Sequence, residues 1–441
     1  MSHGKIKSFF TSAVEAVASS ISDFAVHPEK DFTRHKKFPA DKLLTFLVSE
    51  GSSSTKNELL DFFGMDIHAP SDSSFNQQRA KPRPKAIETV FHRFNESVDS
   101  LHEPPRYRYI AADGSTVTYF SRPEFSPPEY FVEPGHSAKG FYSIHINAFY
   151  DLECHTYTDA LLQPVHEKDE FRAFCDIVGR HPSLPGSKNI YIGDRGYCSY
   201  NNMAHVMEQG QYFLFRTKDI HSKGLVSNFD LPEDDAFDIT AKVTAVRSHS
   251  KKVTVSKGYK RFVDKATSFD YIGYGSMDTY GLSFRIVRFP LSESSYGCVV
   301  TNLPAGEFPP GQIKKCYSAR WGGETSFRKL KYTIGLSNFH AYKPEYIKQE
   351  IWARMIAYNI TEALVSHTVI EEKERKYDYK VNFSVAVHTC RSFLRPISKK
   401  TPAEVAILLQ KELIPIRNGR KYPRLKTAHF RKPRYFIYRA S

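Results

Sequence analysis

The chain has 441 residues, an apolar fraction of 41%, an aromatic fraction of 14% and a formal charge of +14. Its length excludes one small domain and suits two to four folding units with packed cores. No run approaches the ~18 apolar residues of a bilayer span, and six scattered cysteines without a Cys-x-x-Cys pair exclude a structural zinc site and fit a reduced, intracellular, soluble protein. The positive excess favours a polyanionic partner, above all nucleic acid.

The first 104 residues read as helical. "KIKSFFTSAVEAVASSISDF" (5–24) has a basic start like a signal peptide, but Glu15 and Asp23 interrupt it. Its apolar residues recur at helical spacing, which makes it an amphipathic helix. "ADKLLTFLVSE" (40–50) and "STKNELLDFFG" (54–64) are short amphipathic segments, with Ser54 or Thr55 as N-cap of the second. "KAIETVFHRFNESV" (85–98) follows the basic "RAKPRPK" (79–85). Residues 1–104 therefore predict a helical N-terminal domain. Helix, short turn, helix is a common DNA-docking arrangement, and a plain helical cap on the next domain fits the pattern equally well.

Strands follow. "RYRYIAADGSTVTYF" (106–120) reads as strand, Asp-Gly turn, strand. "GFYSIHINAFYDL" (140–152) and "TYTDALLQP" (156–164) continue the β pattern. Next come a helix in "EKDEFRAFCDIVGR" (167–180), a buried strand in "KNIYIGDRGY" (188–197), a helix in "YNNMAHVMEQG" (200–210) and a strand in "QYFLFRTKD" (211–219). Antiparallel strands and then alternating helix and strand describe a mixed α/β sheet covered by helices, an order that suits a ribonuclease-H-like core over 105–220 and 305–372.

Residues 221–304 read as an all-β insertion, with strands in "ITAKVTAVRS", "KKVTVSKGY", "LSFRIVRFPL" and "YGCVVTNL". Helices return in "CYSARWGGETSFRKLK" (316–331) and "EYIKQEIWARMIAYNITEALVSHTVI" (345–370). Residues 373–441 form a helical, basic C-terminal region. Its last 28 residues, 414–441, carry nine Lys or Arg, no acid and five Tyr or Phe, a pattern that follows a phosphate backbone while the aromatics reach bases or sugars.

Three carboxylates stand out. Asp113 and Asp194 each close an apolar strand and precede or flank a glycine, which allows close backbone approach at a sheet edge. Asp-Gly alone is a weak signal, because such an Asp commonly serves a turn. Glu324 is the lone acid in a basic stretch. At about 100° per residue, Tyr317, Arg320, Glu324 and Lys331 fall within roughly 60° of one another on a helix. Phe327, Leu330 and Ile334 form the adjacent apolar stripe. An Arg320 to Glu324 ion pair would account for part of this face, though not for Tyr317 or Lys331. His145, His155 and His166 lack a paired ligand at metal spacing, and no P-loop or nucleophile elbow is present.

The spacing of Tyr317, Arg320, Glu324 and Lys331 resembles the YREK signature of bacterial insertion-sequence DDE transposases of the cut-and-paste type. "IAADGS" and "IGDRGY" resemble that family's first and second aspartate strands. "HINAFYDL", "YTDALLQP" and "DFTRHKKFPADKLL" also look like family sequence, in order, from about residue 30 to 370. The resemblance implies a DNA transposase that cleaves transposon ends and transfers strands, with Asp113, Asp194 and Glu324 as catalytic triad and ligands of two Mg²⁺ or Mn²⁺ ions. It implies Tyr317, Arg320 and Lys331 as phosphate contacts, beside which Trp321 is placed to stack on DNA. It further implies double-stranded terminal repeats and target DNA as partners, a homodimer on DNA, no membrane, and a cytoplasmic, nucleoid-associated place in a bacterium. A same-fold nuclease without strand transfer, or a non-catalytic DNA-binding descendant, are the alternatives. The Gly322–Gly323 pair is open to a close approach by DNA. Family members that form a DNA hairpin stack a flipped base on an aromatic of the β insertion. Neither Trp321 nor Trp352 lies there, leaving Tyr280, Phe284 or Tyr296.

Overall fold

A computed structural model describes residues 3–33, 38–101, 103–133, 140–181, 183–248, 259–263, 267–292, 295–370 and 377–416. The basic aromatic tail from 417 onward and most of "KKVTVSKGY" lie outside the described residues.

Among the described residues, six helices precede the first strand: α1 (His3–Ser19), α2 (Ile21–Phe24), α3 (Ala40–Ser49), α4 (Thr55–Phe62), α5 (Asp72–Arg79) and α6 (Lys85–Asp99). Ser54 does cap α4, its side chain accepting from the Asn57 N–H, and Ser71 caps α5 in the same way. The apolar faces of α1, α3 and α6, including Phe10, Leu43, Phe46, Val90 and Phe94, share one core with the sheet.

The strands and helices that follow are β1 (Tyr107–Tyr119), β2 (Phe131–Val132), β3 (Phe141–Asp151), β4 (Thr156–Pro164), α7 (Glu170–Arg180), β5 (Lys188–Gly193), α8 (Tyr200–Glu208) and β6 (Tyr212–Thr217). β7 (Phe237–Val246), β8 (Tyr259–Phe262), β9 (Thr279–Ser292) and β10 (Ser295–Thr301) come next, then α9 (Pro310–Ala319), α10 (Trp321–Arg328) and α11 (Pro344–Ser366). β11 (Tyr379–Val381), α12 (Phe383–Leu394), α13 (Pro402–Lys411) and β12 (Leu413–Pro415) close the described chain. One mixed sheet runs β2-β3-β1-β5-β6-β10-β9-β7-β8, with β4 also on β3. The β1–β5 and β5–β6 pairs are parallel. The strands of the β-rich segment continue this sheet, because β10 pairs with β6.

Helix α11 is buried on nearly every side, and its buried polar residues are partnered there: Gln349 and Glu350 with Arg79, Arg354 with the Glu50 and Gly51 carbonyls, and Asn359 with the Tyr157 carbonyl. The N-terminal helices pack against it, with His3 Nε2 3.1 Å from the Leu364 carbonyl, and Lys7 Nζ ties α1 to the neighbouring α12 by donating to the Phe393 carbonyl at 2.7 Å.

The Asp-Gly hairpin expected at 113–114 is absent. β1 passes straight through it, with Asp113 opposite Ala148 and Gly114 opposite Asn147 on β3. A ten-residue antiparallel ladder outweighs one dipeptide's turn preference. The hairpin lies instead between β3 and β4, where Asp151 accepts from the Glu153 and Cys154 N–H groups and His155 adopts φ 57°.

Candidate active site

The parallel β1–β5 register ends at Ala112 opposite Gly193. The next residues on the two strands are Asp113 and Asp194, so the register makes them neighbours. β5 stops there, while β1 continues to Tyr119 along β3 alone. The lost ladder partner opens a notch at the sheet edge. Asp113 Oδ1 accepts its neighbouring Gly114 N–H at 2.9 Å, and Asp194 caps the turn after β5 by accepting from Gly196 N–H at 2.7 Å.

Glu324 reaches this notch on α10. Arg320 joins α9 to α10 in helical conformation, so the face read from the sequence is preserved up to Arg328. Phe327, Leu330 and Ile334 are buried, as the apolar stripe predicts. Lys331 arrives on a π-helical turn, 329–333, a widened geometry frequent at functional sites. The glycine pair meets protein, which corrects the expected DNA approach. A Cβ at Gly323 would lie 3.3 Å from the Ala111 Cβ, and one at Gly322 3.0 Å from Leu152 Cδ2. These two residues bring α10 down onto β1, two residues from Asp113.

The side chains respond to one another. Burial raises the Asp113 carboxyl to about 6, with Glu324 and Asp194 adding to the rise and Arg320 opposing it. Arg320 is 7% exposed and donates to Glu324 Oε1 at 2.7 Å. Its guanidinium lies 5.7 Å from the ring centres of both Tyr317 and Trp321. Lys331 Nζ donates to the Thr116 carbonyl at 3.0 Å, and burial lowers its ammonium against the pull of Asp113. Trp321 is 54% exposed beside this group. All seven sequence-predicted residues thus lie along one edge. Of the three aromatics considered for the β segment, Phe284 is sealed in the core, which removes it as a stacking surface. Tyr296 opens β10 at the same sheet edge, its ring 4.0 Å from the Arg288 guanidinium.

Two groups escaped the sequence reading. His145 faces Glu170, with Nε2 3.1 Å from Oε1, and Lys168 Nζ lies 2.9 Å from the same oxygen. The His145 hydrogen bond and then Lys168 hold the Glu170 carboxyl at about 2 against its burial. The partners lie on different elements, so no spacing announces them. The second group, Glu50, His340 and Glu350, has ligand atoms within 4.8 Å of one another, a closeness that the Asp113, Asp194 and Glu324 carboxylates do not reach. Two guanidiniums already stand beside it. Arg79 pairs with Glu350 at 3.1 Å, and Arg354 donates to the Glu50 and Gly51 carbonyls.

Residues 104–360 match the family model of the transposase DDE domain, more than half of the chain. The chain belongs to the DDE transposase family. It is 21% identical over 427 residues to the transposase of insertion sequence element IS231D from Bacillus thuringiensis subsp. finitimus, covering 88% of this chain and 86% of that one. Against transposase InsG of insertion sequence element IS4 from Escherichia coli K12 it is 29% identical over 133 residues, 27% of this chain and 29% of that one. A piggyBac transposase synaptic complex with hairpin DNA aligns over 92% of this chain and 84% of that one, at TM-score 0.44 and 10% identity. The transposase is an enzyme that cuts and transfers DNA strands. Among the described residues no helix is long and apolar enough to cross a membrane.

Proposed function

We propose that this transposase works through Asp113, Asp194 and Glu324 as ligands of two divalent cations, Mg²⁺ or Mn²⁺. The observation that carries the reading is the adjacency of Asp113 and Asp194 in parallel register, with α10 seated on Ala111 beside them. The donor set fits such ions. Its oxygens are hard ligands, and burial first, then the neighbouring Glu324 and Asp194 carboxylates, hold the Asp113 proton to about 6, a cost of ionisation that a bound cation would offset. When bound, such ions activate an attacking oxygen and stabilise a leaving one in an in-line displacement.

The chain's other residues hold the DNA. Arg320 neutralises Glu324 in the free protein and offers its planar fork to phosphate once that carboxylate is otherwise engaged. Lys331 adds a point charge beside Asp113, Tyr317 a phenol against Arg320, and Trp321 an exposed ring for stacking. Water attacks the phosphodiester at the transposon end, and the bridging oxygen leaves as a 3′ hydroxyl. That hydroxyl then attacks a target phosphodiester, displacing a second 3′ oxygen. No covalent enzyme intermediate is needed. The helical N-terminal region and basic tail add DNA contacts, and two copies bridge paired ends.

The test supplies purified protein, a labelled terminal-repeat duplex, a target plasmid and Mg²⁺. Joined product that disappears in Asp113→Asn, Asp194→Asn and Glu324→Gln supports the reading. Cleavage persisting in all three sinks it.

A further inference from the structure

The two glycines beside the aspartates share a neighbour. A Cβ at Gly114 would lie 2.7 Å from Glu170 Oε1 and 2.8 Å from His145 Nε2. A Cβ at Gly196 would lie 3.0 Å from Asp194 Oδ1 and 3.8 Å from Glu170 Oε2. One carboxylate therefore sits against both segments, one oxygen toward each. It does so from the sheet face opposite Glu324, since Gly114 and Asp113 alternate along β1.

Glu170 is braced from several elements. His145 on β3 is 1% exposed, and its Nε2 faces two acceptors, Glu170 Oε1 and Asn147 Oδ1 at 3.2 Å, so that nitrogen carries the proton. Its Nδ1 contacts Thr116 Oγ1 on β1 at 3.1 Å. Asn147 donates to Gln163 Oε1 on β4 at 2.8 Å, and that oxygen also receives the Asp169 N–H at 3.2 Å, just before α7. A Glu in the first turn of α7 would need only the helix dipole. It would not need a buried histidine, a neighbouring lysine and two missing side chains around it.

We propose that Glu170 is a fourth acidic residue of the transposase site, a positioning residue. Held by His145, its carboxylate fills the space left by Gly114 and Gly196, fixes the two aspartate-bearing segments and tightens divalent-cation binding at the triad by its charge. This rests on the triad reading above. The partners belong to β1, β3, β4, α7 and the turn after β5, so the carboxylate reports on the geometry of the whole notch.

Mn²⁺ titration followed by the electron paramagnetic resonance of the free ion tests it on the full chain without DNA. Glu170→Gln keeps the shape and removes the charge, and Mn²⁺ affinity is expected to fall about tenfold, the scale of one partly screened charge nearby. His145→Ala should give a smaller loss, and the double variant no more than Glu170→Gln alone, because one acts through the other. Glu170→Asp retains the charge and should recover most of the affinity, which keeps the test valid if Glu170→Gln folds poorly. Unchanged affinity in folded Glu170→Gln, or no recovery in Glu170→Asp, overturns the proposal. Asp113→Asn separates the two readings: binding lost there but intact in Glu170→Gln leaves the triad standing and removes Glu170. Binding intact in Asp113→Asn removes the foundation of both.

Discussion

Two acidic clusters in this chain have opposite electrostatic character. At the sheet edge, Asp113, Asp194 and Glu324 meet one guanidinium, and Asp113 keeps its proton to about 6. Between α3, α5 and α11, Glu50, His340 and Glu350 are fully enclosed, and Arg79 and Arg354 stand beside them. Burial still raises Glu50, whereas His340 and the guanidiniums hold Glu350 low despite its burial. The second cluster is the tighter in distance, yet its charge is already balanced and adding a dication there would leave an uncompensated positive charge. Closeness of carboxylates alone is therefore a poor guide to a metal site. An unmet negative charge at an open edge is a better one.

The contrast can be broken most severely by mutation. Neutralising any of the three edge carboxylates should drop end cleavage to background in a gel assay, and Asp113→Asn should do so while leaving the denaturation midpoint no lower. Arg79→Ala should do the reverse in kind. It leaves Glu350 buried without its guanidinium, and stability should fall by about 3–5 kcal/mol in denaturant titration, with no rescue by added Mg²⁺. A fall under 1 kcal/mol there would mean that the enclosed cluster is not neutralised as described.

Proton competition gives a smaller effect. Divalent-ion affinity should fall about tenfold per pH unit below pH 6 and level off above it, following the Asp113 carboxyl. The same shift has a stability sign. An unfolded Asp ionises near pH 3.9 and the folded Asp113 near 6, so the metal-free fold loses stability as pH rises through that window. Asp113→Asn should then stabilise the metal-free protein at pH 8 by on the order of 1 kcal/mol after solvent screening and leave it unchanged at pH 3. Equal effects at both pH values would contradict the shift. Smallest of all, Lys331→Ala should weaken DNA binding at low salt and reduce the salt slope by about one unit.

Much of the site was legible because it obeys local rules. "IYIG" is apolar throughout and leads into Asp194, as a strand buried on both faces does. The face bearing Tyr317, Arg320 and Glu324 follows from helical spacing, and the buried stripe beside it fixes which side meets the sheet. What escaped depends on partners distant in sequence. Asp113–Gly114 carries the strongest hairpin signal in the chain, yet β3 supplies a ladder that keeps it extended. Gly322 and Gly323 look available to DNA until Ala111 and Leu152 are seen beneath them. Lys331 leaves the expected spacing because the helix widens into a π turn. Glu170 and His340 sit in ordinary segments, and only tertiary register brings His145 to one and Glu50 to the other.

The most direct measurement replaces Mg²⁺ with Fe²⁺ and adds ascorbate and hydrogen peroxide, so that hydroxyl radicals cut the backbone next to the bound ion. Fragments ending near residues 113, 194 and 324, lost in Asp113→Asn and retained in Glu50→Gln, are the expected result. Cuts near 50, 340 and 350 that survive Asp113→Asn would show that the cation sits in the enclosed cluster, contradicting the account.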